Sequence, residues 1–428
     1  MSEILLINVT GRDKPGLTAS ITSIMGACSH QNGGLEILDV SQSVIHDNLT
    51  WGTLTWKIVV RLPEGREAAP VLKDLQSHFH ELELQCHCQS ISDEGYEQWV
   101  SEQDKNRYIL TLLARNVTAE QIARVTHITA EHGLNIDQVT RLSGRQSLNT
   151  DSLEPGKIQE QRTSSCLEFS VSGASPEQDK LRADFLHISS ELDADVAFQE
   201  DSIYRRNRRL VVFDMDSTLI EAEVIDLLAE AAGVGDKVAD ITERAMQGEL
   251  DFNESFRERL SMLKGLDESV LASIAEKLPI MEGAEPLIRS LKALGYKTAI
   301  LSGGFTYFAH YLKRLFGIDY IYANELEIVD GKVTGKAIGE IVNGERKAQL
   351  LKEIAKKEGV SLEQTIAVGD GANDLPMLSV AGLGVAFRAK PLVTQSAKQS
   401  ISTLGLDSIL YLLGFSEQDL QVLNQDKR

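Results

Sequence analysis

The rhythm of apolar residues along this chain changes near position 209. Before it, short apolar runs follow an order that is repeated once. ILLINV (4–9) reads as a strand, and residues 17–30 carry a helical stripe. Strand-like runs follow at 35–45 and 54–62, then a helix over 68–80 and a further strand in ELELQCHC. The second pass opens with YILTLLA (108–114), then a helix over 118–132 with Ile122, Val125 and Ile128 as its apolar positions. A strand at 134–142 and CLEFSVS (166–172) come next. Ser175 as cap and Pro176 at the first position announce a helix, and VAFQ (196–199) closes the unit. Each pass is β-α-β-β-α-β, a ferredoxin-like α+β arrangement. Residues 89–107 are polar and read as a linker; residues 145–165, polar with a Pro-Gly, read as a long loop.

After Arg209 the strands are short and continuously apolar: LVVF (210–213), KTAIL (297–301) and TIAV (365–368). Such strands suit a parallel sheet covered on both faces, and the helices between them predict a doubly wound α/β domain. About eighty residues separate the first two strands, far more than a crossover needs. Helical periods at 224–232, 237–247, 252–263 and 269–277 make that stretch an inserted helical cap, about 222–281. Asp330-Gly331, in ELEIVDGKVTG, signals a hairpin. The expected domains are 1–90, 105–201 and 205–428. Removal of residues 1–203 is expected to leave an active domain.

Composition narrows the partners. The 428 residues carry a formal net charge of −20, which argues against nucleic acid and anionic membrane surfaces. No apolar run approaches the ~20 residues of a membrane span, and the start lacks a secretory pattern, so the expected location is cytoplasmic. The four cysteines imply no disulfide framework. HFHELELQCHCQ (78–89) offers two thiols and three histidines, but Leu82, Leu84, Cys86 and Cys88 alternate, which favours a buried strand over zinc. The basic run YRRNRR (204–209) reads as a solvated hinge in so acidic a chain.

In open α/β sheets ligands sit beyond the carboxyl ends of the strands. Three such ends carry polar clusters here: DMDST with Asp214 and Asp216, SGGF with Ser302 and Gly303, and GDGAND with Asp370, Asn373 and Asp374. GERKAQLL adds Lys347 in the first turn of a predicted helix. Acids, hydroxyl, amide and amine together form an inventory for metal-assisted phosphoryl transfer. Two adjacent aspartates tolerate each other if a divalent cation neutralises them, and Mg²⁺ prefers oxygen ligands. Asp214 and Asp370 are its expected carboxylates, with Asp216 contributing a backbone carbonyl. The Asp216 carboxyl is then left for proton transfer, and Asp214 for attack on phosphorus. Ser302, the Gly303 amide and Lys347 would hold the phosphoryl oxygens, with Asn373 beside them.

DMDST, SGGF, Lys347 and GDGANDLPM resemble the four motifs of the haloacid-dehalogenase-like hydrolases, across essentially all of residues 205–400. The wording from Asp214 to about Arg388 is similar to the branch that hydrolyses O-phosphoserine. The resemblance implies Asp214 as nucleophile, Asp216 as general acid and base, Asp370 as the remaining metal carboxylate and Asp374 as a supporting acid. It also implies an ammonium-binding Glu223 and a carboxylate-binding Arg259, with Met246 and Phe252 as apolar walls. Read from the residues alone, Glu223 and Arg259 are exposed helix charges, and Arg257 rivals Arg259. The alternative activity is a phosphotransferase or another small-phosphomonoester phosphatase; a sensor with an inert hydrolase domain is the non-enzymatic one.

The amino-terminal repeat resembles ACT domains, which bind amino acids and often pair by sheet contact. TGRDKPG (10–16) stands where their ligand loop does, so the resemblance implies an amino-acid effector there and a homodimer. The second unit has ARNVTAE (114–120) instead, without the glycines and proline.

Overall fold

The computed structural model describes residues 3–47, 51–102, 106–145 and 164–425. It falls into two units, 1–105 and 106–428. The first contains β1 (Ile4–Arg12), α1 (Leu17–Gln31), β2 (Glu36–Asp47), β3 (Trp51–Arg61), α2 (Ala68–Glu81) and β4 (Gln85–Ile91). These strands form an antiparallel sheet in the order β2-β3-β1-β4. Alternation puts Leu5, Ile7 and Val9 of β1 and Leu54, Trp56, Ile58 and Val60 of β3 on the covered face. Leu17, Ile21 and Met25 of α1 and Val71, Leu75 and Phe79 of α2 close over them. Each such side chain contributes about 1.5–3 kcal/mol by leaving water.

In TGRDKPG the glycines have structural duties. A Cβ at Gly11 would lie 2.4 Å from Leu84 Cδ2, and Gly16 begins α1 at φ 88°. Strand β4 starts at Gln85, later than the alternation implies. Leu82 caps α2, while Cys86 and Cys88 turn half-buried toward the core with thiols 3.3 Å apart. Residues 89–107 are not a plain linker, because Asp93–Glu102 forms α3. The polar composition hides two aromatics one turn apart. Tyr96 and Trp99 pack at 5.8 Å between ring centroids, and Lys57 Nζ lies 4.7 Å from the Trp99 ring centre.

The second unit opens with a repeat of the same module. It comprises β5 (Asn106–Ala114), α4 (Ala119–Glu131), β6 (Leu134–Arg141), β7 (Ser165–Gly173), α5 (Gln178–Leu192) and β8 (Ala194–Glu200), with sheet order β6-β7-β5-β8. Thr118 and Gln121 form a reciprocal cap on α4. Helix α5 starts later than Ser175-Pro176 suggests, with Glu177 at its cap and Leu181 N–H donating to the Glu177 carbonyl. Most of the expected 145–165 loop, residues 146–163, lies outside the described residues.

The α/β domain continues with β9 (Leu210–Phe213), then α6 (Val224–Ala231), α7 (Gly235–Met246), α8 (Phe252–Met262) and α9 (Ser269–Ala275), which form the inserted helices. Next come α10 (Ala284–Ala293), β10 (Lys297–Phe305), α11 (Thr306–Phe316), β11 (Tyr320–Val329) and β12 (Lys332–Ile338). The chain ends with α12 (Gly344–Glu358), β13 (Thr365–Gly369), α13 (Leu375–Val380), β14 (Leu383–Phe387), α14 (Pro391–Ser396), β15 (Gln399–Ile401), α15 (Ile409–Leu412) and α16 (Glu417–Gln425). Seven strands lie in the order β12-β11-β10-β9-β13-β14-β15, all parallel except the β11–β12 hairpin. That hairpin turns at Asp330 and Gly331, both with positive φ.

Strand β9 is buried on both faces. Val211 and Phe213 join a cluster with α10 and α11, whereas Leu210 and Val212 pack with α12 and α13. This is the double winding that continuous apolar strands predict. The run YRRNRR departs from its expected role as a solvated hinge, since Arg205 and Arg208 are buried. Arg205 meets Glu168 of β7 and donates to the Leu412 carbonyl at 3.0 Å, and Arg208 donates to the Glu363 carbonyl at 2.6 Å. Arg205 thus bridges the second module and the α/β domain, whereas Arg208 bonds carbonyls within the α/β domain; these oxygens offset part of the desolvation. Among the described residues no helix is long and apolar enough to cross a membrane.

Candidate active site

The register of the three central strands builds the site. Phe213 lies level with Ile300 of β10 and with Val368 of β13. Asp214 therefore leaves the middle strand just as its neighbours reach Ser302 and Asp370. Its own N–H donates to the Val368 carbonyl at 2.9 Å. The Asp214 carboxylate is fixed at both oxygens: Oδ1 accepts from the Met215 amide at 2.7 Å, and Oδ2 lies 2.8 Å from Lys347 Nζ.

Lys347 is fully buried in the first turn of α12, whose start is capped by Asn343. Its ammonium also donates to Asp374 Oδ1 at 2.7 Å, and the other Asp374 oxygen accepts from the Gly371 amide at 2.9 Å. Asp370 Oδ1 accepts from the Thr218 hydroxyl at 3.1 Å. Burial works against the Lys347 charge, but Asp214 and Asp374 outweigh it and hold the ammonium protonated.

Carboxylate oxygens of Asp214, Asp370 and Asp374 come within 4.8 Å of one another, and all three residues are buried. Three carboxylates against one ammonium leave the site short of positive charge. Burial, followed by the charges of Asp214, Asp374 and Glu223, pushes Asp370 up to about 8. Burial and Asp214 take Asp374 to about 7 despite Lys347. An oxygen-binding divalent cation fits this donor set, because it would let the carboxylates ionise together. Asp374 is engaged at both oxygens by Lys347 and the Gly371 amide, and Asp214 at both by the Met215 amide and Lys347, so among the described residues the Asp370 carboxylate, met by the Thr218 hydroxyl, is the most open of the three.

Asp216 turns toward the cap, where its Oδ1 accepts from the Val224 amide at 3.1 Å. Burial, then the charges of Glu223 and Asp214, raises its carboxyl well above the usual range. Ser302 is fully buried, and its hydroxyl accepts from the Gly304 amide at 2.9 Å. The glycines at 303 and 304 allow close approach. A Cβ would lie 2.9 Å from Phe252 Cζ at the first and 2.5 Å from Asp216 Oδ2 at the second. Phe252 of α8 thus covers the Ser302 loop, and the cap stands over the strand ends. Asn373 is half-buried beside Asp374.

Glu223 accepts from the Ser217 hydroxyl at 2.8 Å where the chain enters α6. Arg259, on α8, is half-buried and feels the charges of Glu223, Asp226 and Asp216, while Arg257 is exposed. Among the described residues nothing accepts from the buried Arg259 Nε. The Met246 side chain lies outside what is described. Two positioning residues escaped the sequence reading. Thr218 fixes Asp370, and buried Asn324 of β11 donates to the Gly303 carbonyl at 2.7 Å while accepting from the Val342 amide at 2.9 Å. Thr218 stands within DMDST, but Asn324 belongs to no recognisable pattern.

Three parallel strand ends with an aspartate-lysine-aspartate cluster under a helical cap define the class. Residues 211–379 match the family described as haloacid dehalogenase-like hydrolase, and residues 3–89 match the ACT domain. The phosphoserine phosphatase of Streptomyces coelicolor is 38% identical over 419 residues, covering 97% of this chain and 93% of that protein. That of Mycobacterium tuberculosis is 36% identical, over 97% of this chain and 94% of its own length. A solved structure described as a probable phosphoserine phosphatase from Vibrio cholerae, unliganded, superposes with a TM-score of 0.55 at 36% identity; it covers 75% of this chain and 89% of its own. The chain belongs to the phosphoserine phosphatase family of haloacid dehalogenase-like hydrolases.

Proposed function

We propose that this chain hydrolyses O-phospho-L-serine to L-serine and phosphate through an aspartyl-phosphate on Asp214, with Mg²⁺ as cofactor. The observation that carries the reading is the convergence of Asp214, Ser302, Lys347 and Asp370 beneath a cap bearing Glu223 and Arg259. Asp214, Asp370 and the Asp216 backbone carbonyl would hold Mg²⁺, which when bound neutralises the carboxylates and the phosphoryl oxygens.

Asp214, held in one orientation by Met215 and Lys347, attacks phosphorus. The bond from phosphorus to the serine oxygen breaks, and Asp216 delivers its proton to that oxygen. The raised Asp216 carboxyl suits this step, since it must begin protonated. Asp216 then takes a proton from water as the water oxygen displaces Asp214 from phosphorus. Ser302, the Gly303 amide, Lys347 and Asn373 hold phosphoryl oxygens, and Asp374 keeps Lys347 in place. Glu223 receives the substrate ammonium, and Arg259 its carboxylate. A phosphate-release screen over phosphorylated amino acids and sugars, with and without Mg²⁺, tests this. Phosphoserine should lead, and Asp214→Asn should abolish its turnover; substantial activity in that variant would refute the assignment.

The proposed domains are 1–90, 105–201 and 205–428, with the cap at about 222–281. The ACT match over 3–89 supports an amino-acid effector in the first module. Exposed Ile37, Val40 and Ile45 on its edge strand β2 support a homodimer, which light scattering would weigh.

A further inference from the structure

We infer that Arg115 of the second module is a positioning residue for the cap, gripping the hinge by which the cap joins the sheet domain. The two hinge segments run side by side. Glu221 N–H donates to the Pro279 carbonyl at 2.8 Å, Ile220 lies opposite Ile280, and Met281 N–H donates to the Leu219 carbonyl at 3.0 Å. The next residue, Glu282, is the meeting point. Arg115 engages both of its carboxylate oxygens, each at 2.8 Å, in a fork that fixes direction as well as distance.

Arg388, just beyond β14, binds the same Glu282 carboxylate. It also reaches Glu221 Oε1 at 3.6 Å and the Leu404 carbonyl at 3.4 Å. Its backbone stands at φ 44°, in the left-handed region that a residue with a side chain rarely adopts. The Arg388 N–H donation to the Ile401 carbonyl at 2.7 Å helps hold it there. One carboxylate therefore ties the second module, the end of β14 and both hinge segments together.

Arg115 directly follows β5, and the first module has its glycine-bearing stretch at the corresponding end of β1. ARNVTAE lacks those glycines, and what the stretch presents instead is a cation for the hinge. Glu223 lies two residues beyond Glu221, so the hinge sets where that carboxylate meets substrate. This step rests on the phosphoserine reading of Glu223 and Arg259.

The test compares full-length wild type, Arg115→Met and Arg115→Lys on phosphoserine and on p-nitrophenyl phosphate, which lacks the ammonium and carboxylate. In Arg115→Met, Arg388 still pairs with Glu282, so no buried carboxylate is stranded. KM for phosphoserine should rise roughly 3- to 10-fold while KM for p-nitrophenyl phosphate stays within about 2-fold. Arg115→Lys should recover part of the loss, and Glu282→Gln, which weakens both arginine contacts, should shift KM further the same way. Unchanged KM in Arg115→Met, or an equal fall in kcat on both substrates, overturns the inference. Wild type active on p-nitrophenyl phosphate but inactive on phosphoserine overturns the functional reading itself, and this inference with it.

Discussion

Lys347 shows why single residues here resist substitution: a buried ammonium is tolerable only because Asp214 and Asp374 flank it within 2.8 Å. Among the described residues the Asp370 carboxylate has no ion-pair partner, only the Thr218 hydroxyl, and it is pushed up to about 8, against about 4 in an unfolded chain. The native state thus holds more protons than the unfolded state between those values, so stability falls as pH rises through that window. Chelator-treated protein should lose Tm from about pH 5 to about pH 8, and added Mg²⁺ should reduce the loss. A chelated sample with level Tm across that range would count against a cation site here. At this scale the sequence revealed the residues that do chemistry, because their types are unusual at strand ends. Asn324 stayed hidden, since its task is to pin the backbone at Gly303 and 342.

Helix α8 displays one stripe to the site. Phe252 meets the Ser302 loop, Phe256 packs on Phe305 with ring centroids 6.0 Å apart, and Arg259 comes one turn later. Asp251 and Glu254 cap its start reciprocally. Periodicity located this helix but did not choose between Arg257 and Arg259; the exposure of the first and half-burial of the second favour Arg259. Arg259→Ala should raise KM for phosphoserine by roughly tenfold or more and leave a phosphate ester without a carboxylate nearly untouched. Equal effects on both would reject the pocket assignment. Most element boundaries were legible where one face is apolar, although the alternation of Leu82 and Leu84 with the cysteines put the start of β4 too early. Helix α3 was missed because only Tyr96, Trp99 and Val100 interrupt its polar run, and α5 was started early because Ser175-Pro176 imitates a cap.

For the whole molecule, the three-part order could be read from the repeat and from the change in strand type near 209. What could not be read is how firmly the second module is joined to the α/β domain. Asp195 of β8 accepts from the Ser402 and Thr403 amides and the Thr403 hydroxyl, and Arg205 meets Glu168 across the same junction. The expectation that residues 1–203 are dispensable therefore needs revision. Deleting 1–105 should leave a soluble, active protein, whereas deleting 1–203 strands Arg205, Thr403 and Gln399 and should lower Tm by several degrees or more. Equal Tm for the two truncations would show the junction to be energetically idle.

Gln399 carries a separate consequence. Its side-chain amide accepts from the Phe198 N–H at 3.0 Å and donates to the Phe198 carbonyl at 2.6 Å, imitating one rung of a ladder. Strands β8 and β15 are the outermost members of their sheets, so each screens the other's open row of backbone groups from neighbouring chains. A truncation that removes β8 would bare the border of β15, and self-association would follow before any loss of catalysis is seen.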